Sequence, residues 1–95
     1  MNKYEMVVIV DATTPQGEKE TIVKEMTDAI TKCEGKVINS QVWLEKHRFT
    51  FRMRRSTEGT YYLINFEMLR STLAKLRQIV KLNERILRSL IIRID

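Results

Sequence analysis

HRFTFRMRR, residues 47–55, alternates basic or hydroxyl side chains with apolar ones. A period of two is the pattern of a β-strand whose two faces differ. The turn-forming sequence STEG, residues 56–59, follows, and TYYLINFEM, residues 60–68, is a second strand-like run. Two such runs separated by a few residues that include Gly are typical of a β-hairpin. The alternation puts Phe49 and Phe51 on one face of this hairpin, which favours packing in the core.

The segment before the hairpin predicts a strand and a helix. Residues 3–10 are rich in Val and Ile and apolar on both faces, which indicates a central strand. Thr14 is placed to cap a helix whose first residue is Pro15, and Gly35 is placed to end it in a left-handed conformation. The helix has one apolar stripe, which consists of Ile22, Met26, Ala29, Ile30 and Cys33. Cys33, the only cysteine, is therefore expected in the core rather than in a reactive site.

The remaining segments complete the order of elements. Residues 36–44 predict a second strand that continues, through a bulge near residues 43–46, into the hairpin. A second helix over residues 72–82 and a last strand over residues 86–94 follow. The order is β-α-β-β-α-β.

This order predicts a single α+β domain over residues 1–95. Right-handed crossovers that each step over one strand give a four-stranded antiparallel sheet in the order 4-1-3-2. Both helices then cover one face, as in the ferredoxin-like fold, and the other face of the sheet stays open.

The net charge of +5 is unevenly distributed along the chain. Residues 1–35 carry four Lys and seven Asp or Glu, whereas residues 36–95 carry thirteen Lys or Arg and five Asp or Glu. A positive excess on one part of a small domain suits a polyanion, most often nucleic acid. A solvated basic surface would give the same composition, so charge alone leaves both interpretations open.

Sequence motifs of catalysis are lacking. His47 is the only histidine, and no Cys/His cluster, phosphate-binding Gly loop or nucleophile motif is present. We therefore expect no enzyme activity, no cofactor, no metal and no small-molecule substrate. No run approaches the roughly 20 apolar residues of a membrane span, and a single cysteine suits the cytoplasm.

The open sheet face is the candidate site. Val7 and Ile9 would lie there with one of two sets from the last strand, either Leu90, Ile92 and Ile94 or Ser89, Ile91 and Arg93. An apolar patch rimmed by basic residues suggests a place where protein and nucleic acid meet. The predicted rim consists of Arg48, Arg52, Arg88 and Arg93. The alternative is a small sheet with a few tolerated surface aliphatics.

Four sequence segments resemble the bacterial small-subunit ribosomal protein six family, and together they span nearly the whole chain. They are KYE at residues 3–5, KHRFTFRM at 46–53, GTYY with NFE over 59–67, and LNERILR at 82–88. The family commonly has a Gly shortly before the basic run, where this chain has WLE at residues 43–45.

The resemblance implies a non-enzymatic cytoplasmic protein of the small ribosomal subunit. It implies binding to the central domain of small-subunit ribosomal RNA together with small-subunit protein eighteen, near a junction also organised by protein fifteen. The family's basic residues correspond to Lys3, Arg48, Arg88 and Arg93, and we add Lys46 and Arg52 from the basic run. Val7, Ile9, Leu90 and Ile92 are the residues expected to contact the protein partner.

A second hypothesis is a regulatory or ligand-binding module that associates with itself through its sheet. Sedimentation separates the two, because a ribosomal protein pellets with the small subunit and such a module stays soluble.

Overall fold

The fold is given by a computed structural model that describes residues 1–49, the backbone of residues 50–53, and residues 56–95. The predictions for the side chains of Phe51 and Arg52 lie outside the described residues. The elements are β1 (Asn2–Asp11), α1 (Gln16–Lys32), β2 (Lys36–Met53), β3 (Ser56–Met68), a 3-10 turn (Arg70–Thr72), α2 (Leu73–Lys81) and β4 (Arg88–Arg93). The predicted β-α-β-β-α-β order is confirmed.

The sheet has the order β2-β3-β1-β4, and all neighbouring pairs are antiparallel. This is the predicted order, 4-1-3-2, read from the other edge. β1 is central, as expected from its apolar residues on both faces, and its Met6 pairs with Ile64 of β3 and Ile91 of β4. β2 and β4 are the two edge strands.

The core lies between the sheet and the two helices, which pack on the same face. The core-facing residues of β1 are Tyr4, Met6, Val8 and Val10, and the predicted stripe of α1, Cys33 included, packs against them. Leu76 and Val80 supply the buried residues of α2. Phe66 of β3 is fully buried, and its ring stacks on that of Tyr4 with a centroid distance of 5.6 Å.

Both predicted ends of α1 are wrong by about one residue. Pro15 is the N-cap and no side chain caps the helix. Thr14 instead takes part in a turn in which its backbone N–H donates to Asp11 O at 3.0 Å. At the other end Glu34, with φ of 64°, adopts the left-handed conformation. Gly35 is required for packing, because a Cβ there would lie 2.8 Å from Cγ2 of Ile30.

The predicted turn at residues 56–59 is also wrong, since these residues are already in β3. Gly59 is a strand residue that pairs with both Asp11 and His47. A Cβ at Gly59 would collide with the ring of Phe49 and would lie 2.9 Å from Cγ2 of Ile9. Glycine therefore stands here because a ring packs on the strand, not because the chain turns.

The irregularity predicted near residues 43–46 is confirmed. The pairing of β2 with β3 shifts register between Val42 and Leu44 and again between Leu44 and His47. Such bulges increase the local twist and change which face the following side chains occupy.

Asp11 ties the end of β1 to the hairpin. Its Oδ2 accepts a hydrogen bond from Ser56 Oγ at 2.5 Å, and its Oδ1 accepts from the Thr13 backbone N–H at 2.8 Å. These hydrogen bonds, with that of Ser56 the strongest influence, lower the pKa of the Asp11 carboxyl below 3.8. The charged form is therefore favoured by folding.

The Asp11→Asn variant should lose about 1 kcal/mol of unfolding free energy at neutral pH, because charge-assisted hydrogen bonds are weakened. The folded-state pKa is lowered, so the stabilisation is complete above pH 3.8 and is lost as the pH falls through the folded value. Urea unfolding between pH 7 and pH 3 measures this difference. Asp28→Asn is the control, because Asp28 is exposed. A gap between wild type and Asp11→Asn that stays constant down to pH 3 would contradict the assignment.

Candidate interface on the open sheet face

The sheet face that is turned away from the helices is called here the open face. Its β1 residues alternate with the core-facing ones and include Glu5, Val7 and Ile9, of which Ile9 is itself buried. Val7 pairs with Leu63 of β3, and Ile9 pairs with Tyr61. Directly paired residues of an antiparallel sheet point to the same side, so both partners also lie on the open face.

The pairing of β4 settles which of its two sets lies on the open face. Leu90 is opposite Val7 and Ile92 is opposite Glu5. Leu90 is 56% exposed, which is high for a residue in a paired strand, whereas Ile91 packs against the core. The set Leu90 and Ile92 is therefore the exposed one, and Ser89, Ile91 and Arg93 belong to the helix side.

These residues form a groove of about 370 Å³, called here the open-face groove. Its apolar walls consist of Val7, Ile9, Trp43, Tyr61, Leu90 and Ile92. The four side chains that the sequence predicted as contacts for a protein partner thus line one depression.

Aromatic residues extend the open-face groove toward the hairpin, and sequence reasoning missed their grouping. The Tyr61 ring is surrounded by those of Trp43, His47 and Phe49, at centroid distances of 6.0, 5.3 and 6.3 Å. Trp43 is 54% exposed. The prediction that Phe49 is a core residue is wrong, because it packs on Tyr61 and Gly59 on the open face. The grouping depends on the pairing of Ile9 with Tyr61, which places the Tyr61 ring on the open face and which the sequence alone does not show.

Only two of the predicted cations that the structure describes lie on the open face. Arg88 is opposite Ile9 and lines the open-face groove. Lys3 is opposite Glu67, near the other end of β1. Six residues of strand separate Ile9 from Lys3, which corresponds to roughly 20 Å. The open face therefore carries a cation at two opposite corners, with Glu5 and the apolar Val7 and Ile9 between them and Glu67 beside Lys3.

The predicted rim positions of Arg48 and Arg93 are wrong. Arg48 pairs with Glu58 and directly follows His47, which lies on the open face. Because successive side chains of a strand point to opposite faces, the Arg48 side chain points to the helix side. Arg93 is opposite the buried Tyr4 and also lies on the helix side. Its Nε donates to Asp95 Oδ1 at 2.9 Å, and this hydrogen bond lowers the pKa of the Asp95 carboxyl.

Lys46 is exposed and lies within the bulged segment of β2. It can reach a partner beside the aromatic residues but does not line the open-face groove.

In the part of the chain that the structure describes, no group of three or more His, Cys, Asp or Glu side chains is arranged to hold a metal ion. None of the described helices is long and apolar enough to cross a membrane.

Comparisons with known proteins agree on one family. A family model described as ribosomal protein S6 matches residues 3–93. The small ribosomal subunit protein bS6 of Cutibacterium acnes is 28% identical over 93 residues, which cover 98% of this chain and 96% of that protein. The bS6 protein of Rhodopirellula baltica is 30% identical over 95 residues, covering 100% of this chain and 67% of that protein.

Solved structures show the same fold. The crystal structure of 30S ribosomal protein S6 from Thermotoga maritima superimposes with a TM-score of 0.89 at 22% identity, over 98% of this chain and 87% of that one. The C-terminal domain of the MgtC protein from Mycobacterium tuberculosis has a TM-score of 0.62 at 7% identity, over 98% of this chain and 87% of that one. The ferredoxin-like architecture is therefore confirmed, and it also occurs in a differently named protein.

Proposed function

This chain belongs to the ribosomal protein S6 family, and we propose that it binds the central domain of small-subunit ribosomal RNA together with small-subunit protein eighteen. It is a ribosomal protein of the small subunit, and the role proposed for it is structural rather than catalytic. The observation that carries the finer proposal is the open-face groove, in which an apolar floor and a basic residue lie side by side.

The apolar part of the open-face groove suits a protein partner. Leu90 and Ile92 are 56% and 42% exposed, and Trp43 beside them is 54% exposed. Clustered exposed apolar side chains of this kind mark interaction surfaces, and tryptophan is enriched among the residues that dominate binding energy. We therefore assign Val7, Ile9, Leu90 and Ile92 to protein eighteen and add Trp43 as an anchor.

The basic residues suit RNA phosphates. Arg88 lies on the open-face groove itself, so a phosphate bound there would sit at the border between partner protein and RNA. Lys3, Lys46 and Arg48 are exposed at other positions around the sheet. Contacts from Arg and Lys to phosphates would fix the position of the RNA without reading its sequence.

Arg88→Ala and Arg48→Ala should each weaken RNA binding and leave the fold intact, because both side chains are exposed. Each lost phosphate contact should reduce the slope of log affinity against log salt by about 0.7 to 0.9. Filter binding to a central-domain RNA fragment, with protein eighteen present and salt varied, measures both quantities. Lys24→Ala, on the exposed side of α1, is the control. Unchanged affinity and slope in both arginine variants would remove these residues from the site.

Fractionation of cell extracts tests the proposal against the self-associating module. The protein should sediment with the small subunit at low salt and be released together with protein eighteen as salt is raised. A protein that remains in the supernatant as its own oligomer would favour the other hypothesis.

A further inference from the structure

We propose that the chain has a second RNA-contacting surface on its helix side, formed by Arg70, Arg77 and Lys81 and the adjoining edge of β4. This surface is called here the α2 basic face. It would bind the phosphate backbone of RNA. The inference rests on the proposed function and adds a surface that none of the predicted RNA contacts includes.

The segment 70–81 is basic without any compensating acid. It contains Arg70, Lys75, Arg77 and Lys81 and no Asp or Glu. All four side chains are exposed, and none of them forms a salt bridge within the described part of the chain. A cluster of unpaired cations repels itself, so it gains stability when an anion is bound between its members.

The helical spacing places two of these cations in one row. Arg77 and Lys81 are four residues apart on α2, and therefore neighbours on its surface. Arg70 lies in the 3-10 turn that precedes α2 and adds a third positive charge before this row. Positive charge is thus distributed along the segment, which suits the linear array of phosphates in a nucleic-acid strand.

The row borders a groove of about 340 Å³ between α2 and β4. Arg77 and Lys81 line it on the α2 side together with Val80, and Ser89, Leu90 and Ile91 line it on the β4 side. β4 is an edge strand, so its outer side carries backbone groups that no strand pairs. A phosphate in this groove would meet two cations together with hydroxyl and N–H donors.

The groove also connects to the open face. Ser89 follows Arg88 directly, and alternation along β4 puts Arg88 on the open face and Ser89 on the helix side. An RNA strand held by Arg88 therefore needs only to pass the edge of β4 to reach Lys81. The two basic surfaces can contact one continuous RNA.

α1, the other helix of this layer, has no excess of positive charge. α1 carries four acids and three lysines. One of these, Lys19, is buried, and its Nζ donates to Ala12 O at 3.0 Å. The positive charge of the helix layer thus comes from α2, so within this layer a polyanion is attracted to α2 rather than to α1.

RNA is favoured over an anionic membrane as the partner. A helix that binds a bilayer surface inserts an apolar face between the lipids. Leu76 and Val80, the most buried apolar residues of α2, face the sheet and are 0% and 2% exposed. The outward face of α2 is charged or polar between Ala74 and Lys81, and the exposed Leu69 and Leu82 lie only before and after it.

The test compares the double variant Arg77→Gln/Lys81→Gln with Lys24→Gln/Lys32→Gln, which removes two exposed charges from α1. Each is mixed with protein eighteen and a central-domain RNA fragment, and binding is measured between 50 and 200 mM KCl. Loss of two phosphate contacts should make the log–log slope shallower by about 1.4 to 1.8, which reduces the salt effect over this range by roughly tenfold. The α1 variant should retain the wild-type slope, and both should keep the wild-type melting temperature.

The outcomes separate this inference from the proposed function. A reduced slope in Arg88→Ala but not in Arg77→Gln/Lys81→Gln would leave the proposed function standing and overturn the α2 basic face. A wild-type protein that does not bind the RNA fragment would overturn both. Binding of the wild type and the double variant to phosphatidylglycerol vesicles is the last comparison. If the double variant loses vesicle binding while its RNA slope is unchanged, the surface faces a membrane and the inference is wrong.

Discussion

Leu90→Asp should weaken binding of small-subunit protein eighteen by roughly 30-fold or more, the effect expected when a central interface residue is lost. Leu90 is directly opposite Val7 and lines the open-face groove, so a partner seated there would cover it. A carboxylate in its place would lose its hydration when the partner covers the apolar part of the groove, and this desolvation lowers the affinity. Isothermal titration of the two purified proteins measures the change.

Leu82→Asp is the matched control for this experiment. Leu82 is 75% exposed, more than Leu90, but it lies at the end of α2 on the helix side. A substitution there should leave the affinity for protein eighteen unchanged. Equal losses in both variants, or none in Leu90→Asp, would show that the partner does not bind on the open face.

Phe66→Ala should cost about 3 to 5 kcal/mol of unfolding free energy, the range for removing a fully buried aromatic ring. Phe66 is 0% exposed and stacks on Tyr4, so its loss leaves a cavity between the central strands and the helices. The total free energy of unfolding of a small domain is roughly 5 to 15 kcal/mol, so this variant should be close to unfolding. Urea unfolding followed by circular dichroism gives the value.

Phe49→Ala provides the comparison, because it removes the same ring from the other side of the sheet. Phe49 is half-buried against Tyr61 and Gly59, and its removal should cost about 1 kcal/mol or less, since solvent already reaches the site. If Phe49→Ala and Phe66→Ala lose similar amounts of unfolding free energy, Phe49 is a core residue after all.

The fold was predictable because the pattern of β1 and the helix stripes left little choice. Met6 and Val8 alternate with Val7 and Ile9, and apolar residues on both faces require a central strand. Two helices that each connect two strands can then lie only where the right-handed crossovers place them. The order of the sheet follows from those two facts.

The faces of the hairpin were not predictable in the same way. Each extra residue in a strand moves every later side chain to the opposite face. β2 has two register shifts between Val42 and His47, and the sequence does not show how many residues they insert. This is why Phe49 was expected in the core and Arg48 on the rim of the open face.

β4 shows a related limit. Its sequence is apolar at Leu90, Ile91 and Ile92, so alternation alone cannot say which residues point outward. Only the register with β1, Leu90 opposite Val7, decides it. The candidate site could therefore be predicted as a set of residues but not as a single surface.

The open-face groove joins two strands that are made at very different times. Val7 and Ile9 belong to β1, whereas Arg88, Leu90 and Ile92 belong to β4, some eighty residues later in synthesis. During translation the floor of the groove is made before its wall, and the groove is complete only after residue 92 has emerged. The proposed binding site is therefore present only in chains whose sheet has closed.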